Sequence, residues 1–100
     1  MHRIEKKTMQ ELIKIAKDFK VKELYLFGSI LRDDFNSNSD VDIMVSFPDG
    51  LNLTLFDLAL MREKLEEIFN RKVDLVEKKA LLNPSRRDEI FNTARRIYAS

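Results

Sequence analysis

The segment from residue 24 to residue 45 constrains the fold more than any other part of the sequence. It begins with the apolar run Leu24–Phe27, which Gly28 ends, and every second residue from Val41 to Val45 is again apolar. A short apolar run that ends at glycine predicts a buried strand, and alternation with a period of two predicts a strand with one buried face. The segment therefore predicts two strands of a β-sheet.

Helices are predicted on both sides of these strands. Apolar residues recur at helical spacing over residues 5–19, where Thr8 and Glu11 resemble a capping box. A long helix is predicted to begin at Thr54, which an acidic residue follows three positions later, and to end at Asn70.

The remaining segments predict shorter elements. Lys72–Glu77 alternates apolar and charged residues, with Asp74 between two apolar neighbours, as a strand does. The Asn-Pro-Ser sequence at 83–85 is typical of a helix start, residues 95–99 predict a strand or a frayed tail, and Ser29–Asp34 predicts a short helix with Ser29 as its N-cap. Together the elements predict an α+β fold, with a small mixed sheet and helices packed mainly on one face.

Length and composition limit the function classes. One hundred residues, 44% of them hydrophobic, predict a single domain over residues 1–100. A net charge of +1 argues against independent nucleic-acid binding, and the absence of cysteine excludes thiolate metal sites and a cysteine nucleophile. Because no apolar run reaches about 18 residues, we expect a soluble, cytoplasmic protein with no membrane partner.

Asp40 and Asp42 open the second strand and are the first candidates for chemistry. Alternate strand residues share a face about 6.5 Å apart, where two carboxylates repel by about 2.5 kcal/mol at an effective dielectric near 20. Such a pair favours a cation, and oxygen ligands favour Mg²⁺ or Mn²⁺. Asp74 has the same setting, so all three are candidate metal ligands and catalytic carboxylates. The alternatives are a turn cap for Asp40 and a solvated strand face for Asp42.

The turn after the first strand is the candidate phosphate site. Gly28 lets the backbone approach a triphosphate without a Cβ in the way, and Ser29 can add its N–H and hydroxyl at a helix N-terminus. Arg32, one turn along, can reach a phosphate or a carboxylate. Taken alone, these residues are equally typical of a simple strand-to-helix turn followed by an exposed arginine.

The spacing of these motifs resembles the minimal nucleotidyltransferases of the DNA polymerase β-like superfamily. The family pattern is an apolar strand, Gly-Ser, ten residues and then Asp-x-Asp in an apolar strand, and it matches Gly28, Ser29, Asp40 and Asp42. The resemblance implies the polymerase β-like nucleotidyltransferase fold, with the Gly-Ser turn binding the triphosphate of ATP. It also implies that Asp40, Asp42 and Asp74 hold the metal ions.

One residue departs from the family pattern. Many members carry glycine directly after the arginine of the turn, whereas this chain carries Asp33 after Arg32. A carboxylate at that position repels a triphosphate and opposes its binding. Larger members of the superfamily bind the acceptor with a second domain, for which 100 residues leave no room. We therefore expect acceptor recognition to come from a partner or from the shared surface of an oligomer.

The resemblance also implies a biological role. Stand-alone members are similar to the antitoxins of two-gene modules whose toxin is a HEPN-domain ribonuclease. The resemblance implies that this chain forms a hetero-oligomer with such a toxin and transfers AMP from ATP to the hydroxyl of one of its tyrosines. Two alternatives stay open: an antitoxin that neutralises the toxin by binding alone, which Asp33 favours, and nucleotidyl transfer to RNA or a small molecule with a partner subunit.

Overall fold

The computed structural model describes residues 4–31, 39–80 and 84–100. Three α-helices and four strands follow one another in the order α1 (Lys6–Asp18), β1 (Glu23–Phe27), β2 (Val41–Ser46), α2 (Leu55–Phe69), β3 (Val73–Glu77), α3 (Pro84–Thr93) and β4 (Arg95–Ala99). Short 3-10 helices follow β1 and β3, at Gly28–Leu31 and Lys78–Ala80.

The four strands form one mixed sheet in the spatial order β3-β2-β1-β4. β1 lies antiparallel to both of its neighbours, β2 and β4, whereas β2 and β3 are parallel. The parallel pair is possible because α2 crosses over between these two strands and returns the chain to the same end of the sheet. The predicted mixed sheet is therefore confirmed.

The larger core lies between one face of the sheet and the helices α1 and α2. We call this the helical face. Its fully buried members alternate along the strands and recur along both helices: Leu12, Ala16, Leu24, Leu26, Val41, Ile43, Val45, Met61 and Leu65. On the opposite face, Ile90 of α3 packs against Phe27 and Met44. Two of the three helices thus cover one face, as the sequence predicts.

The two predicted capping boxes have different outcomes. Thr54 accepts a hydrogen bond from the backbone N–H of Asp57, whose carboxylate accepts one from the N–H of Thr54, and α2 begins there. The box predicted at Thr8 is wrong, because α1 begins earlier, at Lys6. Its N-cap is Glu5, which makes no side-chain cap hydrogen bond.

The ends of the other predicted elements are also defined. Asn70 ends α2 in the left-handed conformation, with φ +52°, as predicted. Residues 95–99 form a strand and not a frayed tail. The helix predicted from Ser29 is a 3-10 helix over Gly28–Leu31, and the remainder of that prediction lies outside the described residues. Within the described ranges, no helix is long and apolar enough to cross a membrane.

Candidate active site

Asp42 lies on the sheet face opposite α1 and α2, which we call the carboxylate face. Val41 and Ile43, its neighbours in β2, are fully buried on the helical face, so the pleat turns Asp42 to the other side. There Asp42 is half-buried beside Met44, which contacts Phe27 in the smaller core. The alternation seen in the sequence therefore places Asp42 on the carboxylate face, in the strand that lies between β1 and β3.

Asp74 is brought beside Asp42 by the parallel pairing of β2 with β3. The two residues are register partners, so their Cα atoms lie about 4.8 Å apart and their side chains project from the same face. Two further hydrogen bonds hold the start of β3 in place: the N–H of Val41 donates to the carbonyl of Lys72 at 3.0 Å, and the N–H of Val73 donates to Oε2 of Glu66 at 2.9 Å. The sequence could not reveal this alignment.

Asp40 directly precedes β2, and its side chain is exposed, as is that of Asp74. Among the described residues, no three Asp, Glu, His or Cys side chains are placed so that they could hold a metal ion. The three predicted carboxylates are thus not found as one ready-made cluster, and Asp40 lies outside the paired residues of β2 and β3. Their roles as ligands remain predictions.

The Gly-Ser turn lies against Asp42. Gly28 directly follows Phe27, which is the register partner of Asp42 in β1, and it has a φ of +75°. A Cβ added at Gly28 would overlap Oδ2 of Asp42 and lie 3.0 Å from its Cγ. The turn and the aspartate, 14 positions apart in the sequence, are therefore in direct contact.

The other two predicted phosphate-binding residues are described in part or not at all. The backbone of Ser29 lies in the 3-10 helix that follows β1, next to Gly28. Arg32 and Asp33 lie outside the described residues.

The donor chemistry of this face fits a hard divalent cation. Mg²⁺ prefers oxygen ligands and is commonly held by one or two carboxylates, with waters and substrate phosphates completing its octahedron. The register pair Asp42 and Asp74 supplies two such groups, and Gly28 lies against the carboxylate of Asp42. A cation bound by these residues would neutralise charge on substrate phosphates.

A second polar cluster, which the sequence analysis did not anticipate, occupies the other end of the carboxylate face. Glu23 accepts hydrogen bonds from the hydroxyl of Tyr25 at 2.7 Å and from Ser46 at 3.3 Å, and it pairs with Lys78 at 3.5 Å and Arg96 at 3.6 Å. The sequence signal for this cluster is that Glu23 and Tyr25 alternate with the leucines of β1, which places both side chains on the face opposite those leucines. Since Glu23 lies four residues from Phe27, the register partner of Asp42, Glu23 is about 13 Å from Asp42 along the sheet.

Contacts and burial within this second cluster shift the pKa values of Glu23 and Tyr25. The hydrogen bond from Tyr25 is the main cause that lowers the pKa of Glu23, and Lys78 acts in the same direction. Burial is the main cause that raises the pKa of Tyr25, which the neighbouring carboxylate reinforces. Lys78 also lies 5.4 Å from the ring centres of both Tyr25 and Phe91. These contacts join β1, β2 and β4 with the 3-10 helix that follows β3.

Comparison with known proteins shows which sequences this chain resembles. Residues 9–97 match the family model described as a nucleotidyltransferase domain. The chain is 40% identical over 80 residues to MJ1379 of Methanocaldococcus jannaschii, which is provisionally named a protein adenylyltransferase, and the match covers 79% of this chain and 80% of that protein.

Two solved structures share the fold at lower identity. A chain of a toxin–antitoxin crystal structure with AMP-PNP superposes with a TM-score of 0.74 at 23% identity, over 92% of this chain and 73% of that one. A chain of the complex between the tri-AMPylated HEPN toxin of Shewanella oneidensis and its MNT antitoxin gives a TM-score of 0.70 at 20% identity, over 97% and 74%. The expected minimal nucleotidyltransferase fold is confirmed, and the chain belongs to the nucleotidyltransferase domain family.

Proposed function

We propose that this nucleotidyltransferase is a protein adenylyltransferase that acts as an antitoxin. It transfers AMP from ATP to a hydroxyl group, that of a tyrosine, on a partner HEPN ribonuclease. The names of the relatives support the reaction, and the toxin–antitoxin complexes that share the fold support the kind of partner. The observation that carries the proposal is the alignment of Asp42 with Asp74 beside the Gly28 turn, since phosphoryl-type transfer depends on carboxylates placed next to a phosphate-binding turn.

The reaction breaks a phosphoanhydride bond of ATP and forms a phosphoester bond to the acceptor. The tyrosine oxygen forms a bond to the α-phosphorus of ATP, the bond from that phosphorus to the oxygen bridging to the β-phosphate breaks, and pyrophosphate leaves with that electron pair. The hydroxyl proton passes to a carboxylate within hydrogen-bond reach, for which we propose Asp74, because it is exposed on the same face as Asp42.

Two further roles in the proposed site are binding of the triphosphate and binding of the metal ions. Gly28 and Ser29, with Arg32, bind the triphosphate, because the turn presents backbone N–H groups and the arginine adds a positive charge. Asp40, Asp42 and Asp74 hold Mg²⁺ or Mn²⁺, which supplies charge neutralisation at the phosphates when bound.

The first prediction tests Asp42. Replacing Asp42 with Asn keeps the size of the side chain and removes its charge, so we expect AMP transfer to a cognate HEPN protein to fall below detection while the fold is kept. Mass spectrometry of the HEPN protein after incubation with ATP and Mg²⁺ measures the adduct, and circular dichroism checks the fold.

Asp49→Asn is the matched control, because Asp49 is exposed in the loop after β2. We expect it to transfer AMP as the unmodified protein does. Transfer retained by Asp42→Asn would contradict the site. Inhibition of the ribonuclease by the unmodified protein without any adduct would instead favour an antitoxin that acts by binding alone, the alternative that Asp33 supports.

A further inference from the structure

Gly28 and Gly50 both have a left-handed backbone, but their surroundings differ. Gly28 has a φ of +75° and Gly50 a φ of +84°, a region that residues with a Cβ adopt at a cost. A Cβ at Gly50 would meet no atom within 4 Å, so backbone conformation alone accounts for that glycine. At Gly28 the same Cβ would overlap the carboxylate of Asp42. Backbone conformation is therefore only part of the requirement for glycine at position 28.

The overlap involves the carboxylate of Asp42. The added Cβ would lie 3.0 Å from Cγ of Asp42 and at an ordinary 3.4 Å from its Cβ, so it conflicts with the carboxylate and not with the strand. The side chain of Asp42 cannot avoid this by moving with the strand, because β2 is fixed between β1 and β3 by hydrogen bonds on both sides. A rotation that carries the carboxylate away from the turn relieves it, as does a shift of the turn itself.

We propose that Gly28 is a positioning residue for Asp42: the missing side chain provides the space that the carboxylate of Asp42 occupies. The pairing of Phe27 with Asp42 brings the two positions together, and any larger residue at 28 displaces the carboxylate. Glycine in the turn thus supports cation binding through the position of Asp42. It does so in addition to the role suggested by the sequence, which is to let a phosphate approach the backbone. This inference rests on the proposed function in one respect, that Asp42 is a ligand of the cation.

A thermal unfolding experiment tests the packing without any metal or substrate. Gly28→Ala combines backbone strain with the overlap, whereas Gly50→Ala introduces strain alone, so we expect the larger loss of melting temperature for Gly28→Ala. In an Asp42→Ala background the carboxylate is absent, and Gly28→Ala should then cost no more than Gly50→Ala does. An equal loss in both backgrounds would overturn the inference.

The same four variants remain informative if Gly28→Ala does not fold. A cooperative transition regained in the double variant Gly28→Ala/Asp42→Ala would support the overlap as the cause. A double variant that also fails to fold would overturn it.

Binding of Mn²⁺ to the protein without nucleotide tests the consequence for the site, by electron paramagnetic resonance of free Mn²⁺. Because loss of a group that orients a metal ligand weakens affinity about 10- to 100-fold, we expect that range for Gly28→Ala and unchanged affinity for Gly50→Ala. If Gly28 only lets a phosphate approach the backbone, Gly28→Ala should bind Mn²⁺ as tightly as the unmodified protein does. That result would overturn the inference.

The two experiments separate this inference from the proposed function. Unmodified protein that binds no Mn²⁺ would overturn both the metal assignment of Asp42 and the positioning role that rests on it. Unmodified protein that binds Mn²⁺, together with equal melting losses in both backgrounds, would overturn the positioning role and leave the proposed function standing.

Discussion

Glu23 shows how a single charged residue can be accommodated within the sheet. Its side chain is 20% exposed, and it is held by the hydroxyl of Tyr25 and by the cations of Lys78 and Arg96. Hydrogen bonds and cations that favour the ionised form lower the pKa of this carboxyl below its ordinary value of 4.5. The folded state therefore binds a proton at this group less readily than the unfolded chain does.

Stability should depend on pH through Glu23. Because the pKa is lowered in the folded state, the stabilisation from this group is complete above about pH 4.5 and is lost as the pH falls through the folded-state pKa. Glu23→Gln removes this contribution, so we expect its melting temperature to lie below that of the unmodified protein near pH 7 and to converge with it as the pH falls below about 4.5. Thermal unfolding followed by circular dichroism over this range measures the difference.

The control is Glu63→Gln, because Glu63 is exposed on α2. It should show the same pH profile as the unmodified protein. A melting difference between Glu23→Gln and the unmodified protein that stayed constant from neutral to acidic pH would contradict a role for ionised Glu23.

At the scale of elements, α1 and α2 show when a capping pattern predicts a helix start. Both begin near a threonine that an acidic residue follows three positions later. In α2 the pattern is realised, because Thr54 follows an extended loop and has extended backbone angles. In α1 the helical conformation already begins at Lys6, which places Thr8 inside the first turn, where it cannot be the N-cap.

Removal of the α2 capping box should measurably weaken the fold. Thr54→Ala leaves the N–H of Asp57 without its side-chain acceptor, and such changes cost about 1 kcal/mol of unfolding free energy, in a range of about 0.5–2. Chemical denaturation measures this value. Asn52→Ala in the preceding loop, where the side chain is exposed, is the comparison and should change stability by less than about 0.5 kcal/mol. Equal effects of the two changes would argue against the cap.

At the scale of the whole molecule, the sheet divides the protein into unequal halves. The helical face carries the larger core, which α1 and α2 cover, and the carboxylate face carries a smaller one around Met44. Stability therefore depends mainly on the helical face, and Asp42 and Asp74 can remain near solvent on the other. The alternation of the strands thus separates the residues that pack the larger core from the carboxylates of the candidate site.

Two leucines of the same helix test this division. Leu65 is fully buried in the core of the helical face, whereas Leu55 is 84% exposed at the start of α2. Leu65→Ala removes buried methyl groups and leaves a cavity, so we expect a loss of about 2–5 kcal/mol in unfolding free energy. Leu55→Ala should change it by less than about 0.5 kcal/mol. Similar losses from both substitutions, measured by urea denaturation, would contradict the placement of α2.

Much of the fold followed from local patterns in the sequence. Strand β2 was predicted because every second residue is apolar, and α2 was predicted to its ends because Thr54 and Asn70 terminate it through interactions close in sequence. The cluster around Glu23 was missed because its members come from four separate segments. A pattern confined to neighbouring residues cannot report contacts of that kind.

The candidate site likewise combines features that the sequence indicates with features that only the tertiary structure creates. The sequence by itself determined which residues are candidates for the chemistry, since carboxylates alternating along a strand and a glycine turn are properties of short segments. Only the tertiary structure decided that Asp74 aligns with Asp42 and that Gly28 lies against the carboxylate of Asp42. These contacts depend on strand order and register, and both are set by packing among residues that are distant along the chain.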